Sequence, residues 1–188
     1  MRNLVRFFAF LAVILAVQPA ISQEIVHALT GTVVKVDAKA HVFVVKTDDG
    51  SDGVFRLSAM PAGSVDFKKT VAADTVPAAS YAKTGTEVVV YFTGYDNDRT
   101  AIAVQELGTA PLDKVIGTIV KYNKHGVTIM NDKGVEQNFA IDPKTVTDTN
   151  SGVVAGEKAN PHKGMQVKVV ASTTNGVETA LFVRSLGV

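Results

Sequence analysis

The feature that most constrains this chain is that it repeats itself. Gly31-Thr32-Val33-Val34-Lys35-Val36 returns as Gly117-Thr118-Ile119-Val120-Lys121-Tyr122, an offset of 86 residues. Val42-Phe43-Val44-Val45 aligns with Val127-Thr128-Ile129-Met130 at 85, and Phe55 with Phe139 at 84. Gly85-Thr86-Glu87-Val88-Val89-Val90 returns as Gly164-Met165-Gln166-Val167-Lys168-Val169 at 79, and residues 101–108 return as 180–187 at the same offset, both ending in Leu-Gly. Five segments in one order, with an offset that shrinks in small steps, describe a duplicated unit whose second copy has shorter loops. Glycines ahead of the first and fourth strands mark the same turns in both copies.

Each copy reads as five strands. In the first they fall near residues 29–36, 42–47, 54–58, 87–93 and 100–107, and in the second near 115–122, 127–131, 136–141, 166–173 and 177–186. These runs are rich in Val, Ile, Thr and Phe, which suit a pleated, half-buried surface. Asp49-Gly50 and Asn175-Gly176 are turn dipeptides, and Tyr95-Asp96-Asn97-Asp98 reads as another hairpin tip. In the fifth strand, period two sets Ile102, Val104 and Glu106 on one side, the better candidate for core, against Ala101, Ala103 and Gln105 on the other. The fourth, Val88-Val89-Val90-Tyr91-Phe92, is apolar on both sides, so one face is expected to meet the other domain or the crossover. That crossover joins strands three and four across residues 59–86 and 142–165. Stretches this long without structure are uncommon in small domains, so a short helix or cap is expected near 76–82. The expectation is an all-β chain of two tandem five-stranded OB-like small barrels, each with a long crossover between strands 3 and 4. The divisions are 1–22 as signal peptide, 23–108 and 114–188 as the barrels, and 109–113 as linker, which holds the spacer Thr109-Ala110-Pro111.

The start of the chain addresses the rest of it. Arg2 and Arg6 precede eleven unbroken apolar residues, Phe7 to Val17, after which Gln18-Pro19 breaks the run and Ala20-Ile21-Ser22 offers small residues for a peptidase. A membrane span needs about 20 apolar residues. The order therefore predicts a cleaved export signal, a mature start at Gln23, a periplasmic or secreted location and no membrane span after cleavage. The chain has no cysteine, which excludes disulfides and thiolate metal sites. Of 19 basic residues, 17 remain once Arg2 and Arg6 are removed, against 18 acidic ones. A near-neutral exported protein is a poor fit to nucleic acid, whose binding rests on a basic excess.

The pattern Gly-Thr-Val-x-x-Val-Asp at Gly31–Asp37, answered by Gly117–Tyr122, and the later Gly-x-x-Val-x-Val at Gly85–Val90 and Gly164–Val169, resembles the OB-like repeat domains of unknown function in exported bacterial proteins. The resemblance covers nearly the whole mature chain, and it implies architecture, not chemistry. A weaker resemblance is to small periplasmic copper-carrying proteins, single OB barrels whose site uses methionines, a histidine and a tryptophan. This chain has no tryptophan, and Met60, Met130 and Met165 stand apart.

Motifs for catalysis are missing: no Gly-x-Ser-x-Gly elbow, phosphate loop or cysteine nucleophile. Asp48, Asp49 and Asp52 do not keep calcium-loop spacing, since position three would be Gly50 and position twelve Ala59. They read as a solvated hairpin tip. Lys163 and Lys168 beside His162 read as surface charges. OB barrels bind through the loops joining strands 1–2 and 4–5. In the first copy these carry Lys39, His41, Tyr95, Asp96, Asp98 and Arg99, and in the second Asn123, Lys124, His125, Thr174 and Asn175. Tyr95 can stack on a sugar ring while Asp and Arg groups bond its hydroxyls. The expected function is a non-enzymatic binding or adaptor protein, without cofactor, for a cell-envelope protein or glycan. The alternative is metal handling through His41 and His125, which match between copies at offset 84.

Overall fold

The structure, a computed structural model, describes residues 24–58 and 75–187. The expected export signal and Met60 lie outside these residues. The first barrel comprises β1 (His27–Asp37), β2 (Val42–Thr47), β3 (Asp52–Leu57), β4 (Thr75–Pro77), β5 (Glu87–Thr93) and β6 (Thr100–Glu106). The second comprises β7 (Leu112–Asn123), β8 (Gly126–Asn131), β9 (Glu136–Ala140), β10 (Val146–Thr149), β11 (Gly152–Ala155), β12 (Gln166–Thr174) and β13 (Val177–Ser185).

Both sheets close on themselves in the OB manner. In the first, β1 lies between β2 and β5, β5 pairs with β6, and β6 returns parallel to β3 through Arg56↔Thr100 and Leu57↔Ala101. In the second, β7 lies between β8 and β12, β12 pairs with β13, and β13 meets β9 in parallel at Thr179↔Ala140. The expected pair of tandem barrels is the observed architecture, with sheets of six and seven strands where five each were expected. Among the described residues, no helix is long and apolar enough to cross a membrane.

The duplication extends to backbone irregularities. A bulge interrupts β1–β2 between Val33 and Lys35, and another interrupts β7–β8 between Ile119 and Lys121. A second pair falls at Tyr91/Phe92 and Val170/Ala171. Gly85 and Gly164 both take positive φ, +76° and +90°, and donate to Val33 and Ile119 respectively. Gly31 and Gly117 lie inside the first strand of each copy, not ahead of it. There a Cβ would stand 2.5 and 2.6 Å from a carbonyl oxygen of the neighbouring strand, so only glycine permits the approach.

Two sequence assignments are corrected. Strand two aligns at an offset of 84, not 85: Lys35↔Val44 corresponds to Lys121↔Thr128, which equates Phe43 with Val127 and Val45 with Ile129. All four of those side chains are buried. A run of β-branched residues looks the same after a one-residue slip, and only burial fixes its register. In β6 the bulge resets the alternation, because Tyr91 pairs with Ala103 and Phe92 with Ala101, which skips Ile102. Val104 therefore packs in the barrel core beside Ala101, whereas Ile102 and Ala103 face outward into a different cluster.

That second cluster joins the barrels. Ala28, Val89, Tyr91, Ile102, Ala103 and Leu107 pack against Val146, Val170 and Phe182. The two-sided apolar strand β5 thus serves both cores, with Val88, Val90 and Phe92 inside the barrel and Val89 and Tyr91 on the seam. The Tyr91 hydroxyl donates to Gln105 Oε1 at 2.6 Å, and burial drives its pKa far above the ordinary phenol value. Fully burying a Phe or Val side chain stabilises by about 1.5–3 kcal/mol, so this seam holds the two small barrels as one body.

The short helix or cap expected near residues 76–82 takes the form of a 3-10 turn at Ala78–Ser80, which places Ala78 and Tyr81 in the barrel core, and β4 ahead of it adds to β6. Tyr81 meets the ring of Phe43 at 6.2 Å. The second crossover builds a hairpin, β10–β11, whose β10 runs parallel to β13. Val146, Thr147 and Thr149 favour strand over helix there. Its 3-10 turn, Gly156–Lys158, is capped by Tyr122, whose hydroxyl donates to the Gly156 carbonyl at 2.9 Å.

Candidate functional site

The β5–β6 hairpin stops pairing at Thr93↔Thr100 and opens into a loop of residues 94–99. Gly94 begins it at φ +81°, where a Cβ would lie 2.5 Å from the Asp98 carbonyl oxygen. Tyr95 is extended, and Asp96 takes φ +49°, a left-handed conformation uncommon for a residue with a side chain. A 3-10 turn over Asp96–Asp98 follows, closed by the Asp98 N–H donating to the Tyr95 carbonyl at 3.0 Å. Arg99 locks the turn from the far side, its Nε donating to the Asp96 carbonyl at 2.9 Å. The guanidinium carbon of Arg99 stands 4.9 Å from the Phe55 ring centre and 5.8 Å from that of Phe92, within cation–π range.

This tightly held loop displays its tyrosine. Tyr95 is 68% exposed, and its ring lies 6.1 Å from that of His27, which in turn stands 6.2 Å from Phe92. Between the loop and the second barrel is a cleft of about 430 Å³, bounded by His27, Phe92, Tyr95, Asp96 and Arg99 on one side and by Arg184 on the other. Behind it Asp148, on β10, is buried against the seam. Its Oδ1 lies 3.1 Å from His27 Nδ1, and its Oδ2 lies 3.6 Å from Arg184 Nε. Burial raises the Asp148 carboxyl above the ordinary range, against the opposing pull of His27 and Arg184. One carboxylate thus orients a cleft-lining residue from each barrel.

Of the residues singled out in the sequence, Tyr95, Asp96 and Arg99 come together on this cleft. Asp98 turns aside to Arg56, 3.0 Å away. Lys39 and His41 are exposed on the β1–β2 turn, with His41 at φ +54°. The carbonyls of His41 and Arg99 accept from Leu57 and Arg56, so both loops gather at the end of β3, but Lys39 and His41 do not line the cleft. Lys124 and His125 belong to the corresponding turn of the second barrel. There His125 borders a separate shallow depression of about 210 Å³ with Lys121 and Asn138. Among the described residues no three His, Cys, Asp or Glu side chains converge as metal ligands, at His41 and His125 or elsewhere.

Sequence reasoning missed His27, Asp148 and Arg184 as a group, because their meeting depends on how the barrels dock. A signal was present: Arg184 interrupts an apolar strand where the first copy has Gln105, and Asp148 interrupts a β-branched run. Lys168 is also corrected. It is not a surface charge, since its side chain is only 14% exposed and pairs across the seam with Asp48, while its ammonium donates to Thr30 Oγ1 at 2.8 Å. Burial, then the charge of Arg184, pushes the Lys168 ammonium down to about 8, a drop that the Asp48 contact opposes. Lys114 joins this cluster, 2.5 Å from Asp48 and 2.6 Å from Glu87. Asp49 and Asp52 remain exposed at the hairpin tip as expected, whereas Asp48 bridges the barrels.

Fold and cleft together define a tandem OB-like barrel protein with a polar cleft between its barrels. No family model matches the chain, and no curated protein matches it at a significant level.

Proposed function

We propose that this chain is an exported, non-enzymatic binding or adaptor protein of the cell envelope, processed after residue 22, whose ligand is an envelope protein or glycan held at the cleft beside Tyr95. The resemblance to exported OB-like repeat domains is part of this reading. The observation that carries it is the loop at residues 94–99: an exposed tyrosine held out by a glycine-dependent turn and a left-handed Asp96, opposite an arginine from the other barrel. Backbone outliers of this kind cost about 1–3 kcal/mol and gather where a protein binds or reacts. Large exposed aromatics are likewise enriched where partners dock.

The test is capture from cell-envelope extract with tagged wild-type protein and a Tyr95→Ala variant, beside a glycan array. Saturable capture that Tyr95→Ala weakens supports the reading. A folded Tyr95→Ala protein with undiminished capture removes the cleft from consideration. Sequencing the exported protein from Gln23 checks the processing step, and an intact Met1 overturns it.

A further inference from the structure

We infer that the cleft recognises an acidic saccharide, its sugar ring on Tyr95 and its carboxylate gripped between Arg99 of the first barrel and Arg184 of the second. The inference rests on the binding role proposed above and names its ligand class. Three observations lead to it. First, Arg99 is anchored through its Nε, which donates to the Asp96 carbonyl at 2.9 Å, and Arg184 is drawn to Asp148 by an ion pair at 3.6 Å on its Nε side. Among the described residues Arg99 forms no ion pair, and the ion pair of Arg184 with Asp148 runs through Nε. A guanidinium held in this way presents a forked pair of donors that matches a carboxylate better than any neutral group. Second, the Tyr95 ring is exposed at the mouth of the same cleft, a platform for the C–H-rich face of a pyranose. Asp96 and Asn97 at the rim supply acceptors and donors for hydroxyls. Third, a volume of about 430 Å³ suits one or two sugar rings, and the lining has no deep apolar pocket of the kind that would select a peptide side chain.

The arrangement assigns Asp148 a positioning role. It does not border the cleft, but it holds Arg184 and His27 in place from behind. It also makes the site a property of the tandem, because the first barrel alone lacks Arg184. The second barrel has no copy of the site, since Thr174 stands where the repeat places Tyr95.

The experiment is isothermal titration of the purified protein with a galacturonic acid trisaccharide, its methyl ester, maltotriose, and a pentapeptide with a free terminal carboxylate. Saturable binding of the uronate is expected, with the ester and maltotriose at least about tenfold weaker, the loss that goes with a charge-assisted pair. Tyr95→Ala and Arg184→Gln should each weaken uronate binding about tenfold with unchanged circular dichroism, and Arg184→Lys should fail to restore it, because an ammonium lacks the fork. Tyr95→Ala lies on the surface and tests the site independently of any effect of Arg184 on the seam. Equal binding of ester and acid, preference for the peptide, full binding by both variants, or no uronate binding at millimolar concentration each overturns the inference. If uronate binding is absent while an envelope partner is still captured through Tyr95, the ligand class fails and the binding role stands. If both are absent, the binding role fails with it.

Discussion

The two barrels carry the same hairpin twice and use it differently. Residues 93–100 and 172–179 correspond at the repeat offset and contain the same number of residues. In the second barrel pairing continues through Thr173↔Glu178 and Thr174↔Val177, and the strands turn at Asn175-Gly176 with φ of +52° and +77°. Positive φ at both central residues gives the primed turn that matches strand twist. In the first barrel pairing stops at Thr93↔Thr100, and the same length of chain becomes an open loop with a strained Asp96 and an exposed Tyr95. The second hairpin shows what the fold needs at this point. The first gives up two ladder pairs, and the gain is an aromatic ring on the cleft that Arg184 lines. Such a departure from the locally favoured structure is the pattern expected of a functional surface.

The seam offers the largest test of this contrast. Ala103 and Phe182 occupy equivalent positions on β6 and β13, and both face the seam, so one barrel supplies the bulk and the other the room. Phe182→Ala should cost about 3–5 kcal/mol in urea denaturation and open the cleft by loosening the docking that places Arg184. A loss below about 1 kcal/mol would mean that the barrels are not held by this cluster.

A smaller effect separates the hairpins themselves. Gly176→Ala meets open space and suffers only its positive φ, a cost of about 1 kcal/mol. Gly94→Ala adds a clash, since its Cβ would sit 2.5 Å from a backbone oxygen inside the turn, and about 2–3 kcal/mol is expected. Paired melting curves check the difference. Equal losses would show that the Gly94 turn relaxes freely, and that the loop is not a rigid display.

How far the sequence carried follows from which forces act locally. Ten strands, the barrel closure and the two-sided nature of β5 were legible, because burial of alternating β-branched residues is written along each strand. The one-residue slip in strand two and the reset in β6 were not, because a bulge leaves no mark in a run of valines. Three further strands, β4, β10 and β11, escaped because they are short and exist only by pairing with an edge already formed. At the candidate site, Tyr95, Asp96 and Arg99 were legible as polar and aromatic residues in one turn. Their partners His27, Asp148 and Arg184 were not, since each looks ordinary until the second barrel docks. Asp48 shows the same limit. Its counterpart in the second copy is Asp132, yet only Asp48 reaches Lys114 and Lys168 across the seam.

The smallest contrast lies at the β2–β3 and β8–β9 tips, which are built alike on different chemistry. In the second barrel the Asn131 side-chain carbonyl accepts from the N–H groups of Lys133 and Val135, both at 3.0 Å. In the first barrel the work falls to the Asp49 carboxylate, which accepts from the Thr47 hydroxyl at 2.5 Å and from the Ser51 N–H at 2.8 Å. The Thr47 hydroxyl first, and then Ser51, hold that carboxyl down to about 2 from an ordinary value of 3.8. A folded value below the unfolded one means that the contribution is fully present above the ordinary value and is lost as the pH falls through about 2. An NMR titration should therefore show the Ser51 amide shifting with a midpoint near 2, while the Val135 amide, bonded to an amide that does not titrate, stays still. In Asp49→Asn the Ser51 shift should disappear. A Ser51 midpoint near 3.8 would show that the carboxylate is solvated and not bonded, and the first tip would then be held by backbone bonds alone.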